Sequence, residues 1–277
     1  MRDGLEPFAE SVHGAVVKGV RGGDGPTALL LHGTAGSWRN FRPWLPTLQT
    51  RCHLVAPDVP GFGDSPAPDL APTLDAWASL LHELTARMRV TPQILIGLGM
   101  GASLALAYLG QAARATLPAR VVLHTPAYYP GAIRPAARRA VRLLTSPALF
   151  PLIAGLLGHP AVRQQFVHRL IAAPHAVDQE IRMLMEDVQR ASLAVLRGLA
   201  HDMVRVDFRP LLRGLGVPTL VLVGEHDPFV RAAEVSRLSS IMQNATVVVQ
   251  RQVAHGWTES AIGEQNALLA EFLARPG

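Results

Sequence analysis

The stretch that decides the fold is Gly97-Leu98-Gly99-Met100-Gly101, with a run of aliphatic residues before it and a helical pattern after it. Residues 93–96 predict a buried strand that ends at the first glycine, and residues 102–113 predict a helix. Three glycines at alternate positions allow a tight turn between these elements, because glycine adopts backbone conformations that other residues avoid. The sequence therefore predicts a strand, a sharp turn and a helix in immediate succession.

The same alternation of strand and helix continues on both sides of this turn. Further predicted strands are short and almost continuously apolar; they are residues 28–31, 53–56, 120–123, 219–223 and 245–249. Strands of this kind that alternate with helices are typical of a parallel sheet whose two faces are both covered. We therefore predict an α/β fold with a mostly parallel, doubly wound sheet. Residues 12–20 alternate in polarity and predict one strand at an edge.

Residues 126–213 interrupt this alternation. They show only helical patterns separated by prolines, so we predict a core of residues 1–125 and 214–277 with a helical cap of residues 126–213 inserted into it. The insertion holds 12 arginines against six acidic residues, whereas the rest of the chain holds 14 basic and 15 acidic residues. Solvated helix faces explain this positive charge, and a surface that attracts an anionic substrate, a partner or a lipid is the alternative.

The composition excludes several classes of protein. The 277 residues are 49% hydrophobic and 17% charged, with a formal net charge of +5, which is unlike a disordered chain. No basic motif interleaved with aromatic residues accompanies the charge, so we expect no nucleic-acid partner. No apolar run is long enough to cross a membrane, and no signal peptide is visible. Cys52 is the only cysteine, which rules out an intrachain disulfide, favours a reducing compartment and leads us to expect a soluble, cytoplasmic protein.

Four short motifs follow predicted strands, at the edge of a parallel sheet where sites form. They are residues 31–36 (Leu-His-Gly-Thr-Ala-Gly), residues 58–65 (Asp-Val-Pro-Gly-Phe-Gly-Asp-Ser), the glycine turn, and a last pair at residues 223–228 (Val-Gly-Glu-His-Asp-Pro) and 254–257 (Ala-His-Gly-Trp). With these motifs in this order, the chain resembles the α/β-hydrolase family over essentially its whole length. In that family a nucleophile, an acid and a histidine follow one another along the chain. The matching positions here are Gly99, Asp227 and His255.

The resemblance implies a role for each motif position. Asp227 would orient His255 and stabilise its protonated form, and His255 would act as the general base. The backbone N–H groups of Thr34 and Met100 would form the oxyanion hole. Five large side chains flank the motifs and are candidates to line an apolar substrate pocket, with core packing as the alternative for each: Trp38, Leu98, Tyr128, Phe229 and Trp257.

The resemblance also implies a substrate class. It implies hydrolysis of a small apolar ester, or a related reaction at a carbonyl group such as cleavage of a carbon–carbon bond, beneath a cap that shapes specificity. No cluster of histidine and acidic residues has the spacing of metal ligands, so we predict neither a metal nor a cofactor. The identity of the substrate and the oligomeric state stay open.

The nucleophile position departs from the family pattern, which is Gly-x-Ser-x-Gly. Gly99 has no side chain, so it cannot attack a carbonyl or form an acyl-enzyme. We do not expect Ser103, one helical turn further on, or Thr34 and Ser37, on the oxyanion side, to replace the serine. Three interpretations stay open: a serine hydrolase whose nucleophile was replaced by design, a natural enzyme that works without covalent catalysis, and a non-catalytic binder of a small molecule or protein. The retained acid and histidine favour the first two.

The glycine stretch also admits a different fold-level interpretation. Residues 97–102 match Gly-x-Gly-x-x-Ala between a strand and a helix, the fingerprint of a dinucleotide-binding oxidoreductase. That fingerprint expects an acidic residue about 20 positions further on and a place on the first strand–turn–helix unit, and neither expectation is met. It also leaves the motifs at His32, Asp227 and His255 without an explanation, so it is the weaker alternative.

Overall fold

A single sheet runs through the computed structural model, which describes residues 4–159, 161–162, 165, 178–255 and 259–275. Its strands are β1 (Glu6–Val12), β2 (Ala15–Gly22), β3 (Thr27–Leu31), β4 (His53–Pro57), β5 (Ile94–Leu98), β6 (Arg120–His124), β7 (Thr219–Gly224) and β8 (Ala245–Gln250). Their order across the sheet is β1-β2-β4-β3-β5-β6-β7-β8. Strand β2 is antiparallel to β1 and β4, and the other neighbours are parallel. The predicted α/β fold with a mostly parallel sheet is confirmed.

Helices connect the parallel strands. In the described residues they are α1 (Leu45–Leu48), α2 (Leu74–Arg87), α3 (Met100–Gln111), α4 (Pro135–Leu144), α5 (Phe150–Gly158), α6 (Asp178–Arg190), α7 (Leu193–Met203), α8 (Arg209–Gly214), α9 (Ala232–Ser236), α10 (Leu238–Ile241) and α11 (Glu259–Ala274). Helices α4 to α8 all lie between β6 and β7. The segment 126–213, which contains all of these helices except the last residue of α8, is called the helical insertion below. None of the helices within the described ranges has the length and apolarity that a membrane crossing requires.

Both faces of the central strands are buried, since successive side chains of a strand point to opposite sides and each side packs into its own apolar cluster. Leu29 and Leu31 of β3 belong to one apolar cluster, together with the buried faces of α2 and α3. Leu30, between them, belongs to a second cluster, which also contains Leu269 and Phe272 of α11. The near-continuous apolar character of the strands follows from this double coverage.

The N-terminal strand prediction needs correction. Residues 12–20 do not form one edge strand, because the chain reverses at His13-Gly14 and Val12 pairs with Ala15 in an antiparallel hairpin. Both turn residues have positive φ angles, 47° and 76°, which suit the tight two-residue turn that matches the twist of paired strands. His-Gly is not one of the dipeptides that usually mark such a turn, so the polarity pattern alone suggested a single strand.

Candidate active site

The turn between β5 and α3 places Gly99 at the carboxyl end of the sheet. Gly99 has φ 52° and ψ −109°, a conformation that residues with a side chain rarely adopt, and its N–H donates to the carbonyl of His124 (2.9 Å). A Cβ built on Gly97 would lie 2.5 Å from the carbonyl oxygen of Gly101, and one built on Gly101 would overlap the carbonyl oxygen of Leu31. The close approach of β3, β5 and α3 therefore requires the two outer glycines.

The central glycine is different, because there is space beside it. A Cβ built on Gly99 would meet His255 Nε2 at 3.8 Å and Thr125 Oγ1 at 3.9 Å, which are ordinary van der Waals distances, and nothing described lies closer. Packing thus leaves room for a side chain at this position, and the backbone conformation is the remaining obstacle to one. Such a side chain would face both the imidazole and the threonine hydroxyl.

Asp227 and His255 form a hydrogen-bonded pair, although 28 positions separate them in the sequence. They follow β7 and β8, which are neighbours in the sheet. His255 Nδ1 donates to Asp227 Oδ2 (2.7 Å), which leaves Nε2, the nitrogen nearest Gly99, as the basic nitrogen of a neutral ring. The other carboxylate oxygen of Asp227 accepts the backbone N–H groups of Phe229 (2.7 Å) and Val230 (2.8 Å).

The electrostatics keep Asp227 ionised. Its side chain is completely buried, and burial alone would raise the pKa. The attraction of the protonated form of His255, the hydrogen bond from its ring and the two backbone N–H groups outweigh burial and hold the pKa of the Asp227 carboxyl below its usual value. The carboxylate can therefore orient the imidazole and stabilise its protonated form, so that Nε2 can accept a proton from a group beside Gly99.

The loop after β3 lies against this turn and carries one predicted oxyanion donor. The His32 ring is buried, with Nδ1 donating to the carbonyl of Gly33 (2.8 Å) and Nε2 accepting the N–H of Val59 (2.8 Å). Burial lowers the pKa of His32, so a neutral ring ties this loop to the one after β4. Thr34 follows on the exposed side of the loop. Met100, the other predicted donor, is the first residue of α3, where a backbone N–H has no intrahelical acceptor.

The large side chains predicted to line a pocket occupy different places. The Phe229 ring packs edge-on against His255, with ring centroids 4.8 Å apart, so it contacts the site. Trp38 is half-buried on the border of a surface groove that also contains Lys18. Trp257 lies outside the described residues.

Leu98 and Tyr128 lie in the core. Leu98 is buried in the cluster that contains Leu269. The Tyr128 side chain is also buried, its hydroxyl donates to the carbonyl of Glu234 (2.8 Å), and burial raises its pKa to about 12. Core packing, the alternative interpretation for both residues, describes these contacts.

Two residues near the site were not found by sequence reasoning. Thr125 follows β6 directly, and its only sequence signal was that it ends a strand next to the glycine turn. Arg134, at the start of α4, donates from Nε to the carbonyl of Asp227 (2.6 Å) and from its backbone N–H to the carbonyl of Phe229 (2.8 Å). The sequence places Arg134 in a stripe with Arg138 and Arg142 on one helix face, but it does not indicate the contact with Asp227, which depends on where the insertion meets the sheet.

A buried charge also links the helical insertion to the loop after β3. Asp187 of α6 is fully buried, accepts a hydrogen bond from Ser37 Oγ (2.8 Å) and forms an ion pair with Arg39. Arg39 pairs in addition with Glu186, which is exposed (2.8 Å). The loop that carries Thr34 is therefore fixed by contacts from the insertion.

Other hydroxyl and thiol groups are engaged elsewhere. Ser103 is buried in α3, and its hydroxyl donates to the carbonyl of Ala127 (3.4 Å). The Ser37 hydroxyl donates to Asp187. Burial raises the pKa of the Cys52 thiol to about 11, which disfavours the reactive thiolate. None of these three groups is a nucleophile poised beside His255. In the part of the chain that the structure describes, no group of three histidine, cysteine or acidic side chains could hold a metal.

Known proteins match this chain in sequence either over a short segment or over most of its length. The magnesium-chelatase 30 kDa subunit of Rhodobacter capsulatus is 38% identical over 84 residues, and this match spans only 30% of that relative and 30% of this chain. The pimeloyl-[acyl-carrier protein] methyl ester esterase of Neisseria meningitidis is 27% identical over 232 residues, which cover 82% of this chain and 85% of the relative.

The fold has solved counterparts as well. An esterase from Exiguobacterium antarcticum has a TM-score of 0.81 at 19% identity, with 97% of this chain and 99% of that chain covered. The sequence model of the alpha/beta hydrolase family matches residues 28–271. Since this match includes strands β3 to β8, the turn at Gly99 and the Asp227–His255 pair, the chain belongs to the α/β-hydrolase family.

Proposed function

We propose that the chain hydrolyses a small apolar ester, or a related carbonyl substrate, without a covalent serine intermediate. The observation that carries this proposal is the Asp227–His255 pair, whose Nε2 faces the space beside Gly99. A fully buried carboxylate is costly unless its environment compensates it, and here a histidine and two backbone N–H groups do so. A buried carboxylate that is compensated in this way is suited to orient a general base. Membership of the hydrolase family supports the same reaction class.

The proposed reaction uses water as the nucleophile. His255 Nε2 takes a proton from the water while the water oxygen bonds to the carbonyl carbon. The carbonyl oxygen becomes an oxyanion, which accepts hydrogen bonds from the backbone N–H groups of Thr34 and Met100. When the tetrahedral intermediate collapses, the bond to the alcohol oxygen breaks and that oxygen takes the proton from His255. Throughout, Asp227 orients the ring and balances its positive charge.

The helical insertion is proposed to act as the cap of this site, on a core of residues 1–125 and 214–277. Two contacts support this role, because Arg134 bonds to the loop of Asp227, and Asp187 bonds to the loop of Thr34. The Phe229 ring beside His255 supplies an apolar wall, which suits a small apolar substrate.

The test is hydrolysis of p-nitrophenyl butyrate by the native protein and by His255→Ala. A positioned general base contributes about 10²–10⁴ in rate, so we expect His255→Ala to lose turnover by that factor. His226→Ala is the matched control, because His226 is a nearby exposed histidine that lies outside the proposed site. Intact mass during turnover should show no acyl adduct. Native turnover that survives His255→Ala would overturn the proposal.

One observation favours a second candidate, a binding protein. Gly99 supplies no nucleophile but leaves space beside it, and with the proposed oxyanion donors such a site would hold a carbonyl compound without cleaving it. This candidate predicts no native turnover, together with calorimetric binding of N-butylbutanamide, a non-hydrolysable analogue. A hydrolase that lacks only its nucleophile is distinguished from both, because Gly99→Ser would then gain turnover and the native protein would have none.

A further inference from the structure

Thr125 combines two unfavourable features. Its φ angle is 49°, in the left-handed region that β-branched residues avoid. Its side chain is only 1% exposed, and Oγ1 has no hydrogen-bond partner among the described residues. A strained backbone and an unsatisfied buried hydroxyl each destabilise a folded protein. Features of this kind cluster at functional sites, where the surrounding structure holds them in place.

The backbone fixes Thr125 relative to Gly99. The N–H of Thr125 donates to the carbonyl of Leu222 (2.8 Å), and the preceding residue, His124, accepts the N–H of Gly99 (2.9 Å). A Cβ at Gly99 would lie 3.9 Å from Thr125 Oγ1 and 3.8 Å from His255 Nε2. The hydroxyl and the imidazole therefore both lie about 4 Å from one point in the space beside Gly99. An oxygen at this point would have to move by about 1 Å to reach hydrogen-bond distance from either group.

We propose that Thr125 holds the attacking oxygen beside Gly99. A water in this space can donate a proton to His255 Nε2 and accept one hydrogen bond from the Thr125 hydroxyl, which leaves an oxygen lone pair to attack the carbonyl carbon. In the tetrahedral intermediate, the same oxygen keeps its bond to Thr125. This role rests on the proposed function, and it accounts for a buried hydroxyl that has no hydrogen-bond partner among the described residues.

The test compares variants that keep or remove this hydroxyl. Thr125→Val replaces it with a methyl group of similar shape, Thr125→Ser retains it, and Thr125→Ala removes it with less crowding of the left-handed backbone. Thr85→Val is the matched control, because Thr85 is buried but bonds to the carbonyl of His82 (2.9 Å). The probes are p-nitrophenyl butyrate for kcat and butylphosphonate, a tetrahedral anion, for calorimetric binding.

We expect Thr125→Val and Thr125→Ala to weaken butylphosphonate binding at least tenfold, because a hydrogen bond to a charged group is lost. We expect kcat to fall with it, while Thr125→Ser stays near the native values. The Tm of Thr125→Val should equal or exceed that of the native protein, because no hydrogen bond within the protein is broken, whereas Thr85→Val should have a lower Tm.

The outcomes separate this inference from the proposed function. Weaker phosphonate binding in Thr125→Val, in a protein without native turnover, supports the inference and contradicts the proposed function. Native turnover and phosphonate binding that are both unchanged in Thr125→Val and Thr125→Ala overturn the inference alone. A lower Tm in Thr125→Val with unchanged binding would show a structural role and also overturn it. So would a butyryl adduct on Thr125, since the hydroxyl would then be the nucleophile itself.

Discussion

Gly99→Ser would place a hydroxyl in front of the Asp227–His255 pair. The new Cβ lies 3.8 Å from His255 Nε2, so an Oγ attached to it can approach to hydrogen-bond distance, about 2.6–3.2 Å. Loss of the nucleophile from a complete triad costs on the order of 10⁶ in kcat. A site not adapted to the serine recovers part of this factor, and we expect a gain of about 10³ or more in kcat/KM for p-nitrophenyl butyrate.

The same substitution carries a stability cost that can be worked from the backbone. A side chain at φ 52° and ψ −109° costs about 1–3 kcal/mol. Replacing glycine returns about 0.4–1 kcal/mol, because the unfolded chain loses conformational freedom. The free energy of unfolding should therefore fall by about 1–2 kcal/mol, which lowers the Tm by about 2–6 °C in a protein of this size.

Two controls separate the hydroxyl from the backbone strain. Gly99→Ala has the same strained backbone and no nucleophile, so it should lose similar stability and gain no activity. Gly97→Ser puts the same residue where a Cβ would lie 2.5 Å from a carbonyl oxygen, and should be far less stable. A fluorophosphonate probe read by intact mass should add one adduct to Gly99→Ser alone. If Gly99→Ser folds with the expected Tm, yet neither labels nor gains rate, the geometry assigned to His255 and the oxyanion donors is wrong.

Three further predictions follow from the contacts around the site. Asp227 has a lowered pKa in the folded protein. It therefore stabilises the fold above its unfolded pKa of about 3.9, and this stabilisation is lost as the pH falls through the folded pKa. In Asp227→Asn, the free energy of unfolding measured in urea should decline less steeply below about pH 4 than in the native protein. Arg39→Met leaves the buried Asp187 carboxylate without its cation and should cost about 3–5 kcal/mol, whereas Asp187→Ala leaves Arg39 paired with the exposed Glu186 and should cost about 1–3 kcal/mol by chemical denaturation. Gly101→Ala would overlap a backbone carbonyl and should lower the free energy of unfolding by more than about 3 kcal/mol, visible as loss of soluble protein.

Each of these has an outcome that contradicts it. If the free energy of unfolding of Asp227→Asn declines in acid as steeply as that of the native protein, this carboxylate does not govern stability in acid. Equal costs for Arg39→Met and Asp187→Ala mean that the buried carboxylate does not depend on Arg39 for its stabilisation. Wild-type stability in Gly101→Ala means that β3 and α3 can separate, and that the tight turn is not required.

The sequence predicted the sheet well, because its strands are covered on both faces. Residues 94–98 and 219–224 are buried throughout, so their apolar runs carry a signal that partial burial would weaken. The approach of Asp227 to His255 was predictable for a related reason: each lies in the loop that follows a parallel strand, and parallel strands present the same ends to one edge of the sheet. Their catalytic roles stay predictions.

Other contacts were beyond the sequence, because they depend on how distant elements meet. The bond between Ser37 and Asp187 spans 150 positions and exists only because α6 returns to the loop after β3. The burial of the Thr125 hydroxyl was equally beyond the sequence, because a threonine that follows a strand carries no signal of its surroundings. Leu98 and Tyr128 show the reverse case, since proximity to a motif suggested a pocket while their side chains point into the core.

The contrast among the three glycines has an evolutionary consequence. Glycine codons that end in C or U become serine codons by a single base change, and Gly99 is the one position of the three where an added Cβ would stay 3.8 Å or more from the described atoms of other segments. Where one of these codons encodes Gly99, a single base change introduces a nucleophilic side chain that faces a histidine, while the close contacts of the outer glycines disfavour substitution on either side. Selection that scores ester hydrolysis in a mutant library should recover serine at this codon before changes elsewhere.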